Sequence, residues 1–224
     1  MRLGVVIFPG SNCDRDALAA AEIAGYEAVP LWHGESAVEG VDAIILPGGF
    51  SYGDALRAGA LAATAPVMAG VRRFAARGGA VLGICNGFQI LCEAGLLPGA
   101  LTRNRDLAFH CHDVALTVVT ARTPWTRALA PGERLVLPVA HGEGRYVVPP
   151  EELDRLEAQD QIVFRYEDNF NGSCGAVAGV CNRAGNVVGM MPHPERRVEA
   201  VLGGEAGLGV FRSLRLAAAG VTRP

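Results

Sequence analysis

With 224 residues, half of them apolar, and 29 glycines, the chain is long enough for one domain with a large core, and no apolar run in it reaches membrane-span length. A net charge of −3 provides no basic field for nucleic acid. All 20 basic residues are Arg, which excludes a Schiff-base lysine, pyridoxal-type catalysis with it, and a Walker-type phosphate loop.

Residues 3–8 read as an apolar strand buried on both faces, stopped by Pro9. No small-residue cleavage site follows, so this start is read as a first strand rather than a signal peptide, and the expected location is cytoplasmic. The turn at 9–12 leads to a helix over 13–25, with Ser11 or Asn12 as its cap and Asp14 and Asp16 in its first turn. Strands are expected at 27–32 and 41–46. The second runs into Pro47-Gly48-Gly49-Phe50-Ser51-Tyr52-Gly53-Asp54, too rich in Gly for regular structure. Helical patterns follow at 54–62 and 66–77, the second with a solvated face of Arg72, Arg73 and Arg77. Next come a strand at 80–84 and a helix over 86–95 ending at Gly95.

The second half reads differently. Strands at 112–120, 134–141, 145–148, 161–166, 176–182 and 186–190 mostly follow one another without helices, which predicts antiparallel pairing. Prolines 149 and 150 open a short helix, and a last helix covers 205–219 with Leu208, Phe211, Leu214 and Leu216 on its apolar side. The predicted fold class is α/β: a doubly wound, mostly parallel central sheet with helices on both faces and an antiparallel extension in the second half. No linker or repeat interrupts it, so residues 1–224 are read as a single domain.

The residues that promise chemistry begin with Gly83-Ile84-Cys85-Asn86-Gly87. This is the form of a nucleophile elbow, with Cys in place of Ser on a strained strand-to-helix turn. Its glycines are needed where other backbone passes close by. The turn places Cys85 at the positive end of a helix, where negative charge is stabilised. The segment Pro192-His193-Pro194-Glu195 follows a predicted strand. Pro194 biases His193 toward extended geometry, and residues i and i+2 of an extended segment share a side, so Glu195 can orient the imidazole as a base for the thiol. Gly48-Gly49, at the end of a parallel strand, and the N–H of Asn86, directly after the Cys, supply candidate oxyanion donors.

Other residues read more plainly. The six Cys are dispersed, without an export signal or a Cys-x-x-Cys pair, so neither disulfides nor a structural zinc is expected. Cys13, Cys92, Cys174 and Cys181 are read as buried small hydrophobes. His33 is read as a loop or pocket-edge residue, and His110-Cys111-His112 as a short cluster lacking further metal ligands. The sequon Asn171-Gly172-Ser173 is read as a turn. No metal site is expected.

The motifs Gly-Ile-Cys-Asn-Gly-Phe-Gln (83–89), Leu-Pro-Gly-Gly-Phe-Ser-Tyr-Gly-Asp (46–54), His-Gly-Glu-Gly-Arg-Tyr (141–146) and Gly-Met-Met-Pro-His-Pro-Glu-Arg (189–196) resemble the class I (triad) glutamine amidotransferases over nearly the whole chain. Within them the resemblance is closest to the branch that serves as glutaminase subunits of phosphoribosylformylglycinamidine synthases. The resemblance implies a flavodoxin-like amidotransferase fold and a triad of Cys85 as nucleophile, His193 as base and Glu195 as its orienter. It implies oxyanion donors at Gly48, Gly49 and Asn86, and a glutamine pocket lined by Gln89, His141, Gly142 and Glu143. It further implies that this chain binds no cofactor. ATP and Mg would be used by a large synthase subunit, with a small accessory subunit as a further partner. Two positions depart from the family pattern: Ala55 where Tyr is usual, and Phe170 where Pro is usual. Other readings are an amidotransferase serving a different acceptor, such as GMP or histidine synthesis, or a DJ-1/PfpI-like protein with a lone reactive Cys. The His-Pro-Glu segment argues against the last.

Overall fold

Five strands lie parallel at the centre of a computed structural model that describes residues 1–220. They are β1 (Arg2–Ile7), β2 (Glu27–Trp32), β3 (Ala43–Leu46), β4 (Ala80–Ile84) and β11 (Val187–Met190), in the order β2-β1-β3-β4-β11. The antiparallel strands β10 (Val177–Cys181), β9 (Ile162–Tyr166), β6 (His110–Val118) and β7 (Arg134–His141) continue the same sheet, which has nine strands among the described residues. A separate pair joins β5 (Ala100–Thr102) to β8 (Arg145–Val147).

The burial pattern follows from what covers each strand. Every residue of β3, β4, β10 and β11 is buried, as befits strands covered on both faces. The edge strand β7 instead alternates, with Leu135, Leu137, Val139 and His141 inward. Helix α1 (Asp14–Ile23) packs on β1 and β2 and against α5 (Leu208–Ala218), where the Tyr26 hydroxyl donates to Phe211 O at 2.7 Å. Helix α2 (Pro66–Ala76) ends where Asn186 Nδ2 donates to the carbonyls of Ala75 and Gly79 at 2.9 and 2.8 Å. Helix α3 (Asn86–Glu93) packs on β3, β4 and β11, and α4 (Pro150–Ala158) precedes β9.

Several expectations need correction. Residues 54–62 are not a helix: 3₁₀ turns at Ser51–Asp54 and Ala62–Thr64 flank irregular chain, and Tyr52, Asp54 and Leu56 all have positive φ. Neither Ser11 nor Asn12 caps α1; Cys13 stands at that position and no side chain caps the helix. The short strand β5 was not anticipated. No helix among the described residues is long and apolar enough to cross a membrane.

Candidate active site

The carboxyl ends of β1, β3, β4 and β11 meet at one edge of the sheet, and the loops that follow them build the site. At the end of β4 the chain turns sharply into α3 through Cys85, whose φ of 51° and ψ of −107° lie in a sparsely populated region for a residue with a side chain. Its neighbours make that turn possible. A Cβ on Gly87 would stand 1.9 Å from Leu46 O, and one on Gly83 would stand 2.6 Å from the Gly87 carbonyl. Cys85 N–H donates to Met190 O at 2.8 Å, tying the turn to β11. The side chain is almost completely buried. Directly after it the first N–H groups of α3 have no partner within the helix.

His193 and Glu195 follow β11. The backbone N–H of His193 donates to Pro138 O at 2.8 Å, fastening the segment to β7. His193 Nδ1 lies 2.6 Å from Glu195 Oε1, and both side chains are buried to within 2%. A carboxylate has no proton to give, so the imidazole N–H donates. The pair forms for a different reason than expected: Glu195 sits in a 3₁₀ turn, Pro194–Arg196, that folds it back beneath the ring. Burial alone presses the His193 pKa down, but the Glu195 carboxylate and the Cys85 and Cys13 sulfurs outweigh it and hold the ring well above the ordinary histidine value. His193 Nε2 has no hydrogen-bond partner among the described residues, and the Cys85 thiol donates to Ala140 O at 3.7 Å.

Gly48 is the point where these groups converge. A Cβ there would lie 2.7 Å from His193 Cε1, 3.1 Å from Cys13 Sγ and 3.4 Å from Cys85 Cβ. Gly49 has φ +136°, and a Cβ on it would meet Asn12 N at 2.6 Å. Asn86 holds the 51–54 turn in place. Its Oδ1 accepts from Ser51 N–H at 3.1 Å, and its Nδ2 donates to Gln89 Oε1 at 2.9 Å and Asp54 Oδ1 at 3.3 Å.

Cys85 opens into a cavity of about 200 Å³ lined by Gly49, Phe50, Asp54, Gln89, Phe109, Ala140, His141, Gly142 and Glu143. This is below the 300–1,000 Å³ of a drug-sized site and suits a single small metabolite. All four residues expected to line a pocket, Gln89, His141, Gly142 and Glu143, do so. Gln89 Nε2 donates to Glu143 O at 2.7 Å. The loop after β7 is held by two fully buried amides. Asn104 Nδ2 donates to His141 O at 2.9 Å and its Oδ1 accepts from Gly144 N–H at 3.1 Å, while Asn171 Nδ2 donates to Gly144 O at 2.9 Å. Asn171-Gly172-Ser173 is therefore a turn, and also a brace for the cavity wall. A larger cavity of about 390 Å³ opens beside Glu195 and Arg196 but is lined by neither Cys85 nor His193.

Several residues have surroundings that sequence reasoning missed. Asp54, inside a quoted motif but assigned no role, faces the cavity, and its pKa is pushed up to about 6 by burial and by the neighbouring Glu143 charge. Cys13 is buried but not merely apolar filling: Arg196 Nη2 donates to its sulfur at 3.0 Å, and the thiol faces Asn12 Oδ1 at 3.4 Å. Cys92 and Cys174 are only half-buried. Asn104 had no sequence signal at all. Phe170 stands among the rings of His110, His112, His141 and Tyr166, with centroids 4.9 to 5.8 Å away, so that the His110-Cys111-His112 segment belongs to an aromatic cluster. His110 Nε2 pairs with Asp106, and His33 Nδ1 with the Tyr52 hydroxyl at 2.7 Å.

A buried thiol on a strained turn, an imidazole fixed by a carboxylate, and a small polar cavity are the equipment for acyl transfer from an amide or ester. Comparison with known proteins agrees with the motifs. Residues 1–204 match the CobB/CobQ-like glutamine amidotransferase domain. The phosphoribosylformylglycinamidine synthase subunit PurQ of Rubrobacter xylanophilus is 59% identical over 96% of this chain and 97% of its own, and that of Synechococcus elongatus is 55% identical over the same shares. A chain in the structure of PurLQS from Thermotoga maritima superposes with a TM-score of 0.90 at 47% identity, covering 97% of this chain and 98% of that one. The chain belongs to the class I glutamine amidotransferases, in the branch formed by the PurQ subunits.

Proposed function

We propose that this chain is the glutaminase subunit of a phosphoribosylformylglycinamidine synthase, releasing ammonia from glutamine for a synthase subunit of de novo purine biosynthesis. The reading is carried by the meeting of Cys85 with His193 and Glu195, and by the opening of Cys85 into a cavity sized for one amino acid. The names of its relatives supply the acceptor.

In this mechanism His193 Nε2 takes the Cys85 proton as the sulfur attacks the side-chain amide carbon of glutamine. The carbonyl electron pair moves onto oxygen, which is held by N–H groups of Asn86 and the Gly48-Gly49 turn, each such donor worth roughly 3 kcal/mol. Collapse expels ammonia, which takes its proton from His193, and leaves a γ-glutamyl thioester. His193 then removes a proton from water, the water attacks the thioester, and glutamate departs as the Cys85 thiol is restored. Glu195 holds the ring in the tautomer that keeps Nε2 facing the sulfur and stabilises the imidazolium in between.

No Lys-bearing phosphate loop exists in this sequence, and we assign ATP, Mg and the formylglycinamide ribotide to the synthase subunit, with a small accessory subunit alongside. We place the complex in the cytoplasm, in keeping with a described chain that has no membrane-spanning helix. The test combines this chain with the synthase subunit, ATP, formylglycinamide ribotide and glutamine. Glutamine-dependent formation of the amidine product is expected, and its loss with Cys85→Ala. Product formation from glutamine that is no better with the wild-type chain than with Cys85→Ala would overturn the assignment.

A further inference from the structure

Two thiols, not one, stand against the catalytic imidazole. The Cβ that Gly48 lacks would lie 3.1 Å from Cys13 Sγ, 2.7 Å from His193 Cε1 and 3.4 Å from Cys85 Cβ. Cys13 Sγ, a ring nitrogen of His193 and a carboxylate oxygen of Glu195 all lie within 4.8 Å of one another. His193 Nε2, next to Cε1 in the ring, has no hydrogen-bond partner among the described residues, although the residue is only 1% exposed. The opposite nitrogen gives its proton to Glu195 Oε1 at 2.6 Å. A carboxylate that takes the Nδ1 proton, and so leaves a lone pair at Nε2, is the support a metal-binding histidine requires. Cys85 completes the group. Its charge already acts on the ring, and its thiol is held elsewhere only by the long contact to Ala140 O.

We propose that Cys13 Sγ, Cys85 Sγ and His193 Nε2 form a binding site for a thiophilic divalent cation such as Zn²⁺, and that the bound ion silences the nucleophile. Two thiolates and one imidazole with an open fourth position are an established ligand set for zinc, whereas sulfur ligands disfavour Mg²⁺. The cavity onto which Cys85 opens is the way in. Binding releases the protons these atoms carry and occupies both the attacking sulfur and the nitrogen that would serve as base. One group opposes the ion. Arg196 Nη2 donates to Cys13 Sγ at 3.0 Å, so the cation must take the sulfur from a guanidinium, which keeps its pairing with Asp16 at 3.2 Å. Arg196 therefore limits the affinity and keeps the block reversible. Residues 13, 85 and 193 lie far apart in the chain, and no ligand spacing announces the site.

The experiment titrates the full-length chain with Zn²⁺, and with Co²⁺ as its spectroscopic stand-in, in metal-stripped buffer. Wild type is expected to take up one equivalent, to show the sulfur-to-cobalt charge-transfer band of thiolate ligation, and to lose iodoacetamide labelling of Cys85 as zinc is added. Mg²⁺ is expected to do none of this. Cys13→Ser keeps an acceptor for Arg196 and is expected to bind at least about 10-fold more weakly, the least that residues shaping a metal site are worth. Arg196→Gln removes the competing cation and is expected to bind several-fold more tightly, a gain that a misfolded variant would not give. Cys111→Ser, at an exposed thiol, is expected to bind as wild type does. Wild-type affinity in Cys13→Ser or in Arg196→Gln overturns the proposal. So does zinc uptake that leaves Cys85 labelling untouched, or that is lost in Cys111→Ser. None of these readouts uses glutamine, so the metal site and the glutaminase reading fail separately.

Discussion

His193 and Glu195 stand two residues apart in the chain and 2.6 Å apart through space, with almost no surface left to water. In so dry a place the carboxylate charge matters more than its shape. Glu195→Gln preserves the volume and a hydrogen-bonding oxygen but removes the charge that favours the imidazolium. The expected result is a fall in kcat of roughly 100-fold or more with little change in KM, since a positioned acid–base pair contributes about 10²–10⁴. Steady-state glutaminase kinetics in the presence of the synthase subunit measures it. A loss below fivefold would show that the charge is dispensable.

Acid should undermine the fold through His141. Its folded pKa, about 3, lies below the ordinary value of 6.5, so between those limits the unfolded chain binds more protons than the folded one. Stability from keeping this ring neutral is complete above pH 6.5 and drains away as pH falls toward 3. Across the whole window the effect is on the order of 4 kcal/mol. His141→Gln removes the titrating group, so the difference in urea-unfolding free energy between wild type and variant should shrink by a few kcal/mol from pH 7 to pH 4. A difference independent of pH contradicts this.

Gly87→Ala tests the packing beneath the elbow. The new methyl would collide with the Leu46 carbonyl, which belongs to a central strand and has little room to yield. Overpacking of this kind costs about 1–3 kcal/mol, or roughly 2–12 °C in Tm for a chain of this size. Calorimetry of the variant reads it, and an unchanged Tm would mean that the close approach of α3 and β3 is softer than it looks.

Cys13 separates space-filling from bonding. If the thiol only filled volume, Cys13→Val would be tolerated. Since Arg196 Nη2 donates to the sulfur, Val leaves that donor facing a methyl group. The expected cost is about 1–3 kcal/mol, against less than about 1 kcal/mol for Cys13→Ser, which keeps an acceptor. Denaturant melts of the two variants decide between them.

Much of this architecture was legible because its signals are local. The continuous apolar run at Ala80–Ile84, and the mainly apolar segments at Glu27–Trp32 and Arg134–His141, place three strands correctly at both ends. Residues 54–62 misled because their composition is helical while their conformation is not. Tyr52, Asp54 and Leu56 take positive φ to wrap the loop past the elbow, and Leu56 ends 86% exposed. Such a choice is dictated by what the loop must reach. The His193–Glu195 pair was recognised from its spacing, although a turn rather than a strand brings it together. Asn104 was invisible for a deeper reason. Its value lies in two backbone groups of the 141–144 loop, about 40 residues further along the chain, and no window of sequence contains both.

The cavity wall has its own consequence. Its nucleophile comes from residue 85 and its acidic loop from 49–54, both on the parallel half of the sheet, while residues 140–143 arrive from the far antiparallel edge. Neither half encloses a cavity alone. A nascent or partly unfolded chain that already displays a reactive thiol still has nowhere to seat an amino acid. Completion of the whole sheet is therefore a condition for the cavity, and the pocket comes into being only with the finished fold.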